Sequence, residues 1–351
     1  MTRRGGLTAV VAFVLCTPPA HVRAQQGSAI HVLPVRGNIY VLQGAGANIT
    51  ISVGKDGVLA VDTGQASMAD RVLAAIRGLQ ERIDRREPPL GWGAETRSSV
   101  ASRGIEPPAK PIRYIINTHA HPDHVGGNQA LRRAGATFTG GNVAGNITDA
   151  AEGAAILAHE NVYARLTRPR GGGNSAPAGG QPTDTYYTDS MRLSHFFNGE
   201  GVQLVHQKSA HTDGDSLVWF RGSDVIAAGD LFLTTSYPVI DAAQGGTING
   251  VIEGLNRLLD MSFAEFRTEG GTLIVPGHGR LSDSADVAYY RDMVTIIRDR
   301  VRAMITRGMT LEQVRAAKPT ADYDPRYGAT TGPWTTAMFV EAVYTTLGGA
   351  K

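Results

Sequence analysis

Residues 118–128 read THAHPDHVGGN and place His119, His121, Asp123 and His124 within six positions. Imidazole nitrogens and carboxylate oxygens are good ligands for zinc and neighbouring divalent metals. Alternate side chains of an HxHxDH string on a loop point different ways. One ion can therefore take His119 and His121, and a second Asp123 and His124. Each ion is then short of ligands, and later segments supply them: His211 in SAHTDGDS, Asp230 in VIAAGD and His278 in VPGHGR. Five of the nine histidines after residue 24 fall in these segments. A pair of divalent ions suits hydrolysis, because coordination makes water acidic enough to act as a nucleophile near neutral pH.

These side chains need rigid elements to bring them together. The segments NIYVLQG, NITISVG and GVLAVDTG in residues 38–64 predict three short strands, with Gly54-Lys55-Asp56-Gly57 as a hairpin turn. ASMADRVLAAIRGLQERI has helical periodicity. IRYIINT, residues 112–118, predicts a buried strand that delivers the histidine cluster at its C-terminal end. Gly126 and Gly127 let the chain pass close to the cluster before a helix at NQALRRAG. DAAEGAAILAHENVYARL predicts another helix. VQLVHQ, SLVWF and VIAAGD predict strands, with Asp230 ending the last. INGVIEGLNRLLDM predicts a helix, and GTLIVPGHG a final strand and loop. SADVAYYRDMVTIIRDRVRAMITRG is helical up to Gly308, and TLEQVRAAK opens with the capping pair Thr310 and Gln313. Residues 84–111 and 168–184 are rich in Pro, Gly, Ser and Arg and read as loops. Strands in two batches, each followed by helices, predict two packed sheets covered by helices.

The chain has 351 residues, 42% of them hydrophobic, enough for a large core. Arg3 and Arg4, the apolar run Leu7 to Leu15, and Val22-Arg23-Ala24 before two glutamines predict a cleaved leader over residues 1–24. Without it, 31 basic residues face 32 acidic ones, a net charge of −1, which disfavours nucleic acid as a partner. The single cysteine, Cys16, lies within the leader, which excludes a disulfide, a thiolate metal site or a cysteine nucleophile from the mature chain. No other apolar stretch is long enough for stable membrane insertion, so the expectation is a periplasmic or secreted protein, monomeric or homodimeric.

THAHPDH, AHTDGD, AGD and PGHG, in that order, resemble the metallo-β-lactamase superfamily over roughly residues 30–300. The resemblance implies an α+β fold, a four-layer αβ/βα sandwich, occupying residues 25–300, with residues 301–351 a helical extension packed on it. It implies that His119, His121 and His211 hold one metal, that Asp123, His124 and His278 hold the other, and that Asp230 bridges both. It also implies two Zn2+ cofactors, with iron or manganese able to replace zinc in part, and a metal-bridging hydroxide oriented by Asp123. The substrate would be a small ester, lactone, thioester or amide. β-Lactamases of the best-known subclass resemble this chain in their histidines but carry Cys where Asp230 stands. Asp230 instead resembles the residue found in glyoxalase-type thioesterases, lactonases, phosphodiesterases and sulfatases. Two alternatives remain at this point: a β-lactamase, and a non-catalytic periplasmic metal-binding accessory protein.

Around this set, Asp62 in AVDTG matches a family aspartate expected to buttress a ligand histidine. Asp215 is a weaker candidate of the same kind, with a turn-stabilising role as the competing reading. Thr118 can hold the loop by a local hydrogen bond. Tyr237, seven residues past Asp230, is a candidate oxyanion donor, with packing beside Pro238 as the alternative. His159 in AHENV is placed on a helix and read as structural, as is His206 in its strand; His31 and His195 carry no signal. Asn48 and Asn146 match a glycosylation sequon that a bacterial-style leader makes irrelevant. Met293, Ile296, Ile297, Val301 and Met304 form an apolar stripe expected to pack on the core.

Overall fold

Two sheets lie face to face, each with a layer of helices on its outer side, in a computed structural model that describes residues 29–86, 111–137, 153–168, 175–262 and 270–349. The leader expected over residues 1–24, Asn146, and nearly all of the insertion expected over 84–111 lie outside the described residues.

The first sheet has seven strands in sequential order: β1 (His31–Arg36), β2 (Ile39–Ala45), β3 (Ala47–Gly54), β4 (Gly57–Val61), β5 (Ile112–Ile116), β6 (Ala155–His159) and β7 (Asp184–Tyr186). The first four pair antiparallel and the rest parallel. The expected hairpin forms, with Gly54 paired to Gly57. Strand β4 shows why its sequence is apolar throughout. Leu59 and Val61 face the second sheet, while Val58 and Ala60 face helix α1 (Ala69–Arg86) on the other side. Both faces are covered, so neither offers room for a polar residue. Val72, Ile76 and Leu79 of α1 recur at helical spacing and bury the outer face of the sheet.

The second sheet runs β12-β11-β10-β9-β8 across β8 (Ser190–Arg192), β9 (Val202–His206), β10 (Ser216–Phe220), β11 (Val225–Leu233) and β12 (Leu273–His278). Its alternation mirrors that of the first. Val218, Phe220 and Ala227 point to the inter-sheet core, and Leu217, Ile226 and Ala228 point to the outer helices. Along the chain, the shorter helices α2 (Pro122–Val125), α3 (Asn128–Arg133) and α4 (Glu160–Thr167) precede the outer pair α5 (Ile248–Ser262) and α6 (Ser284–Thr306). The C-terminal helices are α7 (Leu311–Ala316), α8 (Asp324–Tyr327) and α9 (Thr336–Thr346). This is the α+β four-layer sandwich with additional C-terminal helices.

Three expectations change. The helix expected over DAAEGAAILAHENVYARL is, in its described part, a strand followed by a helix. Residues 155–159 are buried throughout and pair with strands on both sides, and a short apolar run satisfies a buried strand as well as a helix. Asp230 does not end its strand: β11 continues to Leu233, with irregular pairing to β12 around Gly229. A domain boundary at 300/301 would fall within α6, six residues before its end. Val314, Tyr327, Phe339 and Val343 share one core with Leu231 and Ile274 of the second sheet, so the C-terminal helices complete the outer layer. Met293, Ile297 and Val301 are buried there, while Ile296 is exposed. The Thr310–Gln313 capping box forms as expected.

Candidate metal centre

Strand ends from both sheets meet at one edge of the sandwich. Strand β4 delivers Asp62, β5 leads through Thr118 into His119, His121, Asp123 and His124, and the turn between β9 and β10 carries His211. Strand β11 contributes Asp230, and β12 ends on His278. Two glycines make the meeting feasible. A Cβ on Gly127 would stand 2.5 Å from the Thr63 carbonyl, and one on Gly277 only 1.9 Å from Asp230 Oδ1.

All seven sequence-predicted ligands converge in two groups that could each hold a metal ion. His119, His121, His211 and Asp230 form one; Asp123, His124 and His278 form the other. Within each group the ligand atoms lie within 4.8 Å of one another. His211 Nε2 is 3.0 Å from His121 Nδ1, and His278 Nε2 is 3.2 Å from Asp123 Oδ2. Asp230 links the groups: its Oδ1 is 3.1 Å from His124 Nε2 and 3.4 Å from His278 Nε2, and its Oδ2 is 3.9 Å from His211 Nε2.

Hydrogen bonds fix which nitrogen of four rings faces the centre. His211 Nδ1 donates to the Val239 carbonyl (2.7 Å), and His124 Nδ1 to Asp62 Oδ2 (2.8 Å). Thr118 Oγ1 donates to Asp62 (2.7 Å), so its lone pair accepts from His119 Nδ1 at 3.0 Å. His121 is reversed: its Nε2 donates to Asp241 Oδ2 at 3.0 Å, leaving Nδ1 inward. Each partner accepts, so the inward nitrogen keeps its lone pair. Asp62 thus takes the expected buttressing role, on His124. It holds that position with φ +64°, its carboxylate also accepting from Thr118 N at 2.8 Å.

The residues fit a pair of cations. His119 Nε2, His124 Nε2 and Asp230 Oδ1 are buried without a hydrogen-bond partner. Leaving such atoms unpaired costs about 1–3 kcal/mol each, a cost that ligation removes. The charges agree. Burial alone would lower His124, but Asp230 and Asp62 hold it well above the usual imidazole range. Burial likewise opposes protonation of His278, yet the close carboxylates of Asp123 and Asp230 raise it to about 9. Burial would raise Asp230, and the surrounding imidazoles pull it well below the carboxylate range. His119 goes the other way, lowered by burial and by its neighbouring rings. The centre therefore favours positive charge beside Asp230 and a bare lone pair on His119, as divalent ions require.

Other expectations resolve differently. Tyr237 is a correction: its side chain is 1% exposed and it lies in the core. Its hydroxyl donates its one proton to Asp324 Oδ1 (2.8 Å), with the Thr320 carbonyl also within reach at 3.1 Å, and its ring stacks on Phe339. The loop after Asp230 turns this phenol toward the C-terminal helices, where it cannot donate to an oxyanion. Asp215 stabilises its turn, accepting from Thr212 N and Oγ1 at 2.8 and 2.6 Å. Asn48 donates to the Pro276 and Gly279 carbonyls on either side of His278. Sequence reading missed Asp241, which lies 120 residues from the ring it holds and belongs to no spaced pattern. It also missed the buried Asn117–Asn128 pair, joined by two side-chain hydrogen bonds of 3.0 and 2.9 Å beneath the histidine loop.

A cavity of about 600 Å³ opens beside His121 and Asp241. Ala120, Pro122, Val125, Leu166 and Pro177 give it mostly apolar walls. The charged groups on its lining are already paired: Arg165 with Asp213, and Asp241 with His121.

Comparison with known proteins identifies the family. The family model described as "Metallo-beta-lactamase superfamily" matches residues 34–278. A metallo-β-lactamase type 2 from Bacillus cereus is 21% identical over 185 residues, 53% of this chain and 59% of that protein. Among solved structures, a stereoselective inverting sec-alkylsulfatase from Pseudomonas sp. aligns with a TM-score of 0.54 and 15% identity, covering 92% of this chain and 51% of its own. A metallo-β-lactamase from Pontibacter korlensis aligns with a TM-score of 0.48 and 16% identity, covering 76% of this chain and 99% of its own. The chain thus spans about half the length of the sulfatase and under two thirds of the Bacillus enzyme. With a family model covering well over half of the residues and the donor groups of both half-sites assembled at one edge of the sandwich, the chain belongs to the metallo-β-lactamase superfamily, whose members are generally hydrolases.

Proposed function

We propose that this protein is an exported, dinuclear, zinc-dependent hydrolase of small uncharged esters, lactones, thioesters or amides. The observation that carries this reading is the convergence of seven donor side chains in two groups joined by Asp230, with buried ring nitrogens that lack partners. Divalent ions held there supply Lewis-acid polarisation of an electrophile and acidify water.

The chain's own groups divide the remaining work. Asp123 is 32% exposed and stands at the open side of the centre, where Oδ2 can accept a hydrogen bond from an incoming water and orient it. Asp230 is buried and supplies negative charge to both groups at once. The cavity beside His121 receives the body of the substrate, and its apolar walls displace water from it. Its two charged side chains already have partners, which favours a neutral substrate over a charged one. Alkyl sulfates, the substrates named for the Pseudomonas relative, enter the test as the charged comparison.

The test is a panel of p-nitrophenyl ester, γ-lactone, acyl thioester, nitrocefin and secondary alkyl sulfate, offered to the zinc-loaded chain with and without EDTA. Turnover of neutral acyl substrates that EDTA abolishes is expected. Two bound metal equivalents without turnover of any substrate would leave an accessory metal binder instead. Nitrocefin as the preferred substrate would favour the β-lactamase reading, the activity named for the Bacillus relative.

A further inference from the structure

His159 lies in the AHENV segment and belongs to neither ligand group. It ends strand β6 and caps helix α4, accepting from Asn161 N at 3.3 Å. Its ring lies flat on His206, with centroids 3.6 Å apart and planes 8° from parallel. His206 Nε2 in turn donates to the Asp213 carbonyl at 2.9 Å. That same oxygen accepts from Asn161 Nδ2 at 2.7 Å, and Arg165 one turn further along α4 forms an ion pair with the Asp213 carboxylate. Three groups from or beside α4 thus converge on a residue two positions past the ligand His211. From the opposite side, Asp213 N donates to the Gln244 carbonyl (2.9 Å), and Asp241 N to the His211 carbonyl (3.0 Å). The turn that carries His211 is held between α4 and the loop that bears Asp241.

We infer that Asn161 and Arg165 are positioning residues for the first half-site: through Asp213 they fix the turn that aims His211 at the centre. The inference rests on the metal-centre reading above. It concerns how one of the two groups is held, so its effect falls on one half-site. Among the described residues no hydrogen bond or ion pair joins either of them to His124, His278 or Asp123, and the second half-site is braced from Asp62 instead. Arg165 Nε and Asp213 Oδ1 are buried without hydrogen-bond partners. The guanidinium therefore meets the carboxylate through one nitrogen, a pairing that a lysine ammonium can reproduce.

The test is cobalt titration of the metal-free full chain, read by visible absorption, for wild type, Arg165→Ala, Arg165→Lys and Asn161→Ala, with thermal unfolding measured alongside. Removing a group that holds a metal ligand typically weakens metal binding by 10–100-fold. For these groups, one residue further out, about tenfold weaker binding of one equivalent is expected in both alanine variants. The other equivalent stays unchanged, and Arg165→Lys recovers most of the loss. A merely structural role would lower the melting temperature of both alanine variants and leave both cobalt affinities at wild-type values, which overturns the inference. Should Arg165→Ala fail to fold, Asn161→Ala alone decides on the same criterion. Wild type that binds no cobalt would instead overturn the metal-centre reading, a result distinct from a variant that binds normally.

Discussion

The two half-sites share Asp230 but are supported very differently. In the first, all three histidines have their outer nitrogen committed: His119 to Thr118, His121 to Asp241 and His211 to the Val239 carbonyl. His119 and His211 are fully buried. In the second, only His124 is braced, by Asp62. Among the described residues no partner holds the outer nitrogen of His278, whose side chain is 29% exposed, and Asp123 is open to a similar degree. A ligand whose ring is fixed before binding loses little freedom on ligation. The first half-site is therefore a preorganised cage and the second a looser, more open one. The closed half is suited to retaining a cation, and the open half to exchanging water and leaving groups.

The largest effect is expected where the halves join. Asp230→Asn removes the charge both groups share and leaves buried imidazoles facing a neutral amide. Breaking a buried ionic contact costs about 3–5 kcal/mol, roughly 10²–10⁴-fold in binding. Metal analysis should find both equivalents weakened; loss of only one would break the picture of coupled halves.

Next comes the asymmetry itself. Stepwise chelation should remove one equivalent at least about tenfold more readily than the other. His278→Ala should then retain one tight equivalent, and His211→Ala should lose that tight one. Simultaneous release from wild type would contradict the difference in support.

The braces come third. Asp62→Asn should weaken the second half-site by about 10–100-fold and, through Thr118 and His119, the first to a smaller extent. Asp241→Asn should weaken the first by about tenfold, since three other ligands remain fixed there. Cobalt titration of both variants checks that Asp62 acts mainly on the second half and Asp241 on the first alone.

The support legible in the sequence was the local and patterned part. The HxHxDH cluster, the single histidines after strands and the short apolar runs of β4 and β11 mark themselves by type and spacing. Asp62 was found because it follows a strand in a recognisable AVDTG. Asp241 and Asn161 act across the fold on partners 120 and 52 residues away, and no periodicity reports such a contact. Tyr237 failed for a related reason. Its distance from Asp230 along the chain was read correctly, but the direction of its side chain is set by Phe339 and Asp324, about a hundred residues later. The AILAH run shows a third limit, because four buried apolar residues followed by a buried histidine carry no period of their own.

The smallest expected effect concerns acid. Burial, and then the neighbouring His206, hold His159 at about 4, below its ordinary 6.5. The unfolded chain therefore takes up this proton more readily than the folded one. The stability due to the neutral His159 ring is complete above pH 6.5 and is lost as pH falls towards about 4. Urea unfolding across that range should show a decline that His159→Phe, which keeps an aromatic ring without the proton, makes shallower.

The donor side chains come from both leaves of the sandwich: the 119–124 cluster from one, His211, Asp230 and His278 from the other. Bound cations would therefore act as rivets between two layers that otherwise adhere through apolar contact and a few hydrogen bonds, such as those from Asn48 to the Pro276 and Gly279 carbonyls. At a free concentration a hundredfold above its dissociation constant, one such ion adds about 2.7 kcal/mol to the native state. In a compartment starved of the ion, the protein would become easier prey for proteases as it fell silent, so that supply of the metal would govern how much of it survives.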